Sequence, residues 1–471
     1  MRRSGRGALT APFRFLFGLA IAACGILPLL QAITWRPHSN INADIAPSVQ
    51  AKSFKACKEL PGADDVFVVL KTGATEFGHK FPVHMNTTLR CYPNYMVFSD
   101  HQELYQGQVI HDALTPLDDH IKRHHRHEFG LYNRVKEGGR EVLDAEELSD
   151  RPEAVRHKTP AEAWSNVGWR LDKWKFLPMF QTTYETHPHF KWYLFIEADT
   201  YLFWSSLLQY IATLDDQKAF WAGAELFVAG TIIAHGGAGI LVSNPGLKLF
   251  SNQYQDRRQQ WTRFMDNHKA GDIVVARLMN VAGMLLTKSR PLFHEEAPGN
   301  DTYSLASVNS TQWCDPVITY HHVKPGVIED MWNLEHELYA KYDSDFSVVN
   351  DGHRVPKRRD IFLHYLYPQM RKGPRDLWDN NCQENLGEHP SFDACRRSCE
   401  GRLDCLQYRY DRSTKQCFVH DKVQLGDTAP ASSWRSGWMM DRIDQFIENA
   451  PACNERKDWK LVSNRNGPAT Y

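Results

Sequence analysis

The run Lys191–Asp199 reads KWYLFIEAD, apolar and aromatic along most of its length and closed by two carboxylates, Glu197 and Asp199. Such a run reads as a central strand of a sheet whose two faces are both covered. Side chains repeat every two residues along a strand, so the two acids fall on the same side of its end. Buried carboxylates are costly unless they are paired or bound to a metal, so these two need a partner.

The neighbouring segments fit the same architecture. DDVFVVLKTG (Asp64–Gly73) and YMVFSD (Tyr95–Asp100) are short runs rich in β-branched and aromatic residues, each closed by turn residues. From Ala161 a helix-like segment, AEAWSNVGWRLDKWKFLPMFQTTYETH, leads into KWYLFIEAD. The helix LFWSSLLQYIATL and the strands AFWAGAEL and GAGILVS follow. Asn244–Pro245 is a helix start, because proline at the first helical position loses no hydrogen bond. Strands alternating with helices imply an α/β fold with a mostly parallel sheet, and in such a sheet ligands sit at the carboxyl ends of the strands. His111–Pro160 is dense in charge and reads as a solvated insertion with a short helix. Lys122, Arg123 and Arg126 interleave its histidines and would repel a cation.

With 471 residues the chain has room for two or three domains. Arg2, Arg3, Arg6 and Arg14 precede an uncharged apolar stretch at 15–33, FLFGLAIAACGILPLLQAI, close to the length that spans a bilayer. The expected order is a cytoplasmic tail at 1–14, a signal anchor at 15–33 and a stem at 34–62, with the body in the secretory lumen, a type II Golgi-like topology. A cleaved signal peptide is the alternative, but Leu30, Gln31 and Ala32 make a poor cleavage site. Six of the ten cysteines fall in the last ninety residues, and sequons at Asn86, Asn300 and Asn309 fit the same compartment. Basic residues number 55 against 56 acidic, which gives no electrostatic reason to expect a nucleic-acid partner. The body is expected at 63–370, a polar linker at 371–381, a small disulfide-rich α+β module at 382–453 and a tail at 454–471.

Four features are candidates for chemistry. Glu197 and Asp199 at a strand end suit an oxygen-seeking divalent cation, Mn²⁺ or Mg²⁺, that can in turn hold a diphosphate. The same acid-x-acid pattern in YDSDF (Asp343, Asp345) has no strand before it and reads as a loop. HGGAGILVS sets Gly236, Gly237 and Gly239 before a strand, where the missing Cβ lets backbone approach a bulky polar ligand. KAGDIVVARLMNVAGM places Asp272 at a helix start, as a simple N-cap or as a catalytic acid or base. VITYHHVKP brings His321 and His322 to the end of a β-like run, where one imidazole could complete a metal site.

KTG, DKWKFLP, the acid-x-Asp-Thr-Tyr strand end, GGAG before a strand, the Gly-Asp helix start with Arg277 behind it and the late Tyr-His-His-Val occur in an order that resembles glycosyltransferase family 31. The likeness is nearest to the core 1 type β1,3-galactosyltransferases and their fringe-like relatives. It implies a GT-A luminal domain, an inverting mechanism, a UDP-sugar donor, a glycan or glycoprotein acceptor and a divalent metal, usually Mn²⁺. By position, Asp199, Glu197 and His321 take the metal, Asp272 is the general base, and Thr72 and Gly73 contact the nucleotide. Gly237 lies in the donor-side glycine turn, and Lys173 or Lys175 is a candidate phosphate contact or else a solvated helix edge. The chain departs from the family pattern at Glu197, where the family has Asp, and at Gly271, where it has Glu.

CRRSCEGRLDCLQYRYDRSTKQC (Cys395–Cys417) resembles PAN/apple modules, which implies pairing of Cys382 with Cys453, Cys395 with Cys417 and Cys399 with Cys405. Cys57 is a candidate partner of Cys91, which leaves Cys314 without one. The expected activity is a metal-dependent hexosyltransferase, most simply galactose transfer from UDP-galactose in β1,3 linkage. The alternative is an inactive transferase-like membrane protein that binds carbohydrate or protein through the PAN-like module. A glycoside hydrolase is a weak third reading, because acids two apart on a strand share one face and do not flank a glycosidic bond.

Overall fold

The computed structural model describes residues 57–149, 166–304, 311–342 and 355–453. The proposed anchor at 15–33, most of the stem, YDSDF and the tail lie outside these residues. Among the described residues no helix is long and apolar enough to cross a membrane.

Eight strands form one sheet, in the order Thr287–Lys288, Trp221–Gly223, Ile240–Ser243, Trp192–Glu197, Val66–Lys71, Tyr95–Ser99, Gln108–Asp112 and Glu103–Tyr105. Val66–Lys71 runs parallel to both of its neighbours. Ile240–Ser243 runs antiparallel to both of its own. Four of the seven pairings are parallel, so the sheet is parallel at its centre but mixed, and the cause of the mixing at Ile240–Ser243 is local. No crossover helix precedes Ile240; the chain instead reverses through a hairpin, Glu225–Val228 with Thr231–Ala234, and an antiparallel return needs only such a short connection.

Both faces of the central strands are buried, as the unbroken apolar run requires. Val66, Val68 and Leu70 pack with Leu194 and Ile196 in one cluster, whereas Phe67 and Val69 pack with Tyr193 and Phe195 in the other. On the second face the Phe180 ring stacks on Phe195 at 3.6 Å, fixing the helix Val167–Thr186 against the sheet. That helix starts where the Asn166 side chain accepts from Trp169 N–H, satisfying a donor that the first turn leaves open. The helix Asn244–Asp256 begins at Asn244–Pro245 as expected, capped by the Ser243 hydroxyl.

Three boundaries differ from expectation. The stem ends earlier, because Cys57 and Leu60 are buried in the first core cluster and Cys57 pairs with Cys91. The charged stretch after His111 is not a solvated insertion: its helix Arg126–Gly138 buries Phe129, Leu131, Tyr132 and Val135, together with Glu128, which pairs with Lys173. The stretch taken as a linker carries Arg375–Asp376 and Trp378–Asp379, which pair with Trp434–Trp438 and Asp427–Thr428.

The C-terminal module is an antiparallel sheet in the order Arg375–Asp376, Trp434–Trp438, Gln407–Asp411, Gln416–His420 and Glu384–Glu388, with the helix Phe392–Glu400 against it. Cys395–Cys417 and Cys399–Cys405 form as the PAN-like pairing implies. Cys382 does not pair with Cys453; it is a buried free thiol, and Cys453 bonds Cys314, the cysteine expected to be without a partner. The module also shares a core with the body, where Tyr303, Trp313 and Phe362 pack with Val423, Trp438 and Phe446. Tyr303–Ser304 pairs with Lys422–Val423 across the same junction.

Candidate active site

The carboxyl ends of the two central parallel strands lie side by side, and their register sets Lys71 beside Glu197. The Lys71 ammonium lies 3.1 Å from Glu197 and 2.9 Å from Asp172, which the long helix contributes. Asp172 also holds Lys175 at 2.8 Å, and Lys175 donates to the Thr72 carbonyl at 2.9 Å and pairs with Asp100 at 3.3 Å. Five charged groups thus alternate in sign from the end of Tyr95–Ser99 to the end of Trp192–Glu197. Lys175 is fully buried, and burial on that scale is tolerable only because both flanking carboxylates accept from it or face it. Burial raises the carboxyl of Asp172, but the two lysines more than offset it and hold its pKa at about 2.

Asp199 is the meeting point. Its Oδ2 accepts from Lys80 at 2.9 Å, its Oδ1 lies 3.2 Å from His321 Nε2, and His322 Nδ1 is 3.9 Å from Oδ2. His322 reaches the acid because its backbone is left-handed, with φ +56°, which turns the second imidazole of the pair back toward the first. Burial acts against the ionised carboxyl of Asp199, but Lys80 and then His321 hold its pKa well below the usual range. Burial likewise acts against a charged imidazole at His321, and Asp199 overrides it, so the pKa of His321 is raised. The ring is aimed by its other nitrogen, Nδ1, at 3.2 Å from the Glu295 carbonyl.

The glycine turn packs against this group. A Cβ at Gly237 would run into the His321 ring, so the turn closes on the histidine only because that position is glycine. Thr200 donates to the Gly237 carbonyl at 2.6 Å, tying the turn to the strand end. His235, just before the turn, accepts from Ala238 N–H at 3.2 Å, and burial lowers its pKa to about 3, so it stays neutral. His84 braces the strand end from behind, with Nε2 2.8 Å from the Ala198 carbonyl.

Asp272 meets the glycine turn from a separate helix. It is in the first turn of the helix Gly271–Val281, where Ala270 is the cap, so the N-cap role falls away. Its carboxylate accepts from Gly236 N–H at 3.4 Å and from Ile273 N–H at 2.9 Å. Burial raises its pKa to about 6, the two N–H donors oppose the rise, and the Glu197 charge adds to it. A carboxylate that titrates near 6 and is ionised at neutral pH has the proton affinity a general base needs. Just before Asp272, a Cβ at Gly271 would collide with the Phe176 ring, which in turn lies under Lys71 at 5.0 Å.

The structure brings together Asp199, Glu197, His321, Asp272, Gly237, Thr72, Gly73 and Lys175. It does not bring Lys173 to the group: two residues from Lys175 on a helix, Lys173 points elsewhere and pairs with Glu128 at 3.0 Å. Glu197 is drawn to Lys71, so the three-residue set with converging ligand atoms is Asp199, His321 and His322, all within 4.8 Å of one another. Asp199 Oδ1 is buried and faces the His321 ring at 3.2 Å, without well-aligned hydrogen-bond geometry. One carboxylate and two imidazoles with converging ligand atoms fit a divalent first-row cation. Sequence reasoning missed Lys71, Lys80, Asp172, Asp100, His84 and His235. Lys71 and Asp172 stand inside the motifs KTG and DKWKFLP, where a charge next to a strand end was the available signal.

Comparison of the sequence with protein-family models and with curated proteins gives no match.

Proposed function

We propose that the chain is an inverting glycosyltransferase of GT-A type that moves a hexose from a UDP-sugar, UDP-galactose first, onto a hydroxyl of a glycan or glycoprotein in the secretory lumen. The observation that carries this reading is the pairing across one strand-end group of Asp272, with its pKa at about 6, and the Asp199–His321–His322 set. An inverting transfer needs a base on the acceptor hydroxyl and charge stabilisation at the departing diphosphate. Asp272 takes the acceptor proton at its carboxylate, and the Gly236 N–H holds that carboxylate in place. Asp199, His321 and His322 would hold Mn²⁺ or Mg²⁺, which when bound offsets the charge that develops on the leaving diphosphate. Lys71 and Lys175 lie beside Thr72 and Gly73, where Asp100, Asp172 and Glu197 neutralise them, so added positive charge for a diphosphate falls to the cation.

The test is a screen of UDP-sugars for hydrolysis and transfer by the full chain, with Mn²⁺ and with chelator. Turnover of at least one donor with Mn²⁺, lost in chelator, is the expected result. No donor bound or turned over with metal present removes the transferase reading in favour of an inactive binding protein.

A further inference from the structure

The proposed metal set already holds a cation. Asp199 Oδ2 is 2.9 Å from the Lys80 ammonium, and the same ammonium lies 2.7 Å from Glu76, one helical turn away. The three site lysines each sit between two carboxylates but differ in exposure. Lys71 and Lys175 have side chains 5% and 0% exposed and are each held between two carboxylates. Lys80 is 23% exposed and sits in a four-residue helix, Phe77–Lys80, at the rim. Its flexible stem can swing out without opening the core, which Lys71 and Lys175 cannot do.

We infer that Lys80 is a resident counter-ion of Asp199 that gives up the carboxylate to an incoming divalent cation and is retained by Glu76, so that metal binding at this site is an exchange. This rests on the proposed metal-dependent reading. Before exchange the buried carboxylate is neutralised by Lys80, as an ionised group in that position requires. After exchange the ammonium still has the Glu76 carboxylate 2.7 Å away, so its release leaves no unpaired charge. The arrangement makes Lys80 a positioning residue that sets metal affinity, and Glu76 the residue that makes the exchange favourable.

The experiment is Mn²⁺ titration of the full chain, followed by electron paramagnetic resonance of the free ion, without nucleotide. Lys80→Met removes the competitor and is expected to tighten Mn²⁺ binding on the order of ten-fold. Glu76→Gln leaves Lys80 with Asp199 as its one anionic partner of the two and is expected to weaken binding several-fold, while Asp199→Asn abolishes it. Near-UV circular dichroism identifies any variant that fails to fold, and the opposite signs expected of the first two variants separate exchange from a general loss of structure. Equal Mn²⁺ affinity in the wild type and Lys80→Met overturns the exchange and leaves the transferase reading standing. An unchanged constant in Glu76→Gln overturns the role of Glu76. No Mn²⁺ bound by any variant, Lys80→Met included, overturns both the exchange and the metal-dependent reading.

Discussion

The strand-end group and the C-terminal module solve opposite problems. Around Asp199 the chain buries charge and holds it with other charge: Lys71, Lys80 and Lys175 face Asp172, Glu197, Asp199 and Asp100, with glycine wherever backbone must close on a ring. In the module and its junction with the body the chain buries sulfur and aromatic carbon: Cys395–Cys417 and Cys399–Cys405 staple the module, and Cys314–Cys453 ties it to the body where Trp313, Phe362 and Phe446 interlock with ring centroids 5.5–5.8 Å apart. The difference teaches where each kind of damage will show. Removing Asp272 relieves a desolvated charge, removing a carboxylate of the lysine chain leaves a buried ammonium short of a partner, and removing a module contact costs stability without touching the strand-end group.

The largest expected effect is on rate. Asp272→Asn should lower kcat/KM by about 10²–10⁴-fold, the contribution of a general base, with an unfolding midpoint no lower than that of the wild type. Next is the long staple. Cys314→Ala with Cys453→Ala opens a closure of 139 residues, for which chain entropy suggests a loss of up to about 5 kcal/mol in denaturant unfolding, with kcat of the folded fraction unchanged. Gly271→Glu forces a side chain into Phe176. Stability should fall by about 1–3 kcal/mol and activity with it, and trimming Phe176→Ala in the same chain should recover part of both. The pH dependence is smaller and signed. Folding raises the Asp272 pKa to about 6, so its basic form, and with it kcat/KM, rises through pH 6 and levels above it. Since the raised pKa favours the protonated folded state, the stability this group contributes is complete below the ordinary carboxyl range and is lost as pH rises through about 6. Asp272→Asn should accordingly raise the melting temperature at pH 8 and not at pH 3. The smallest effect on activity is that of Lys173→Met, which leaves Glu128 with the Trp174 N–H as donor and costs stability while leaving the Michaelis constant for the donor sugar unchanged.

What could be read from sequence follows from the range of the forces involved. KWYLFIEAD announces a central strand because burial on both faces leaves no polar position, and Asp199, His321 and Asp272 follow because strand ends and helix starts are local signals. The lysines were hidden. Lys71 reads as an ordinary polar strand end until the register sets it opposite Glu197, and Lys80 lies 119 residues from the acid it holds. Choosing Lys175 over Lys173 requires knowing which face of the helix meets the sheet. His322 joins its neighbour only through a left-handed backbone that no propensity demands. The disulfides divide the same way: Cys399–Cys405 and Cys395–Cys417, 6 and 22 residues apart, follow a local pattern, while Cys314–Cys453 depends on how the module packs on the body.

The most direct measurement is the rate of UDP release from a nucleotide sugar, with acceptor glycan and Mn²⁺ present, for the wild type, Asp199→Asn and Asp272→Asn, alongside their unfolding midpoints. A strand-end transferase site predicts metal-dependent release by the wild type and loss of about two orders of magnitude or more in both variants, with the fold intact. Release that persists unchanged in both variants, or no release from any donor by folded wild-type protein, would contradict it.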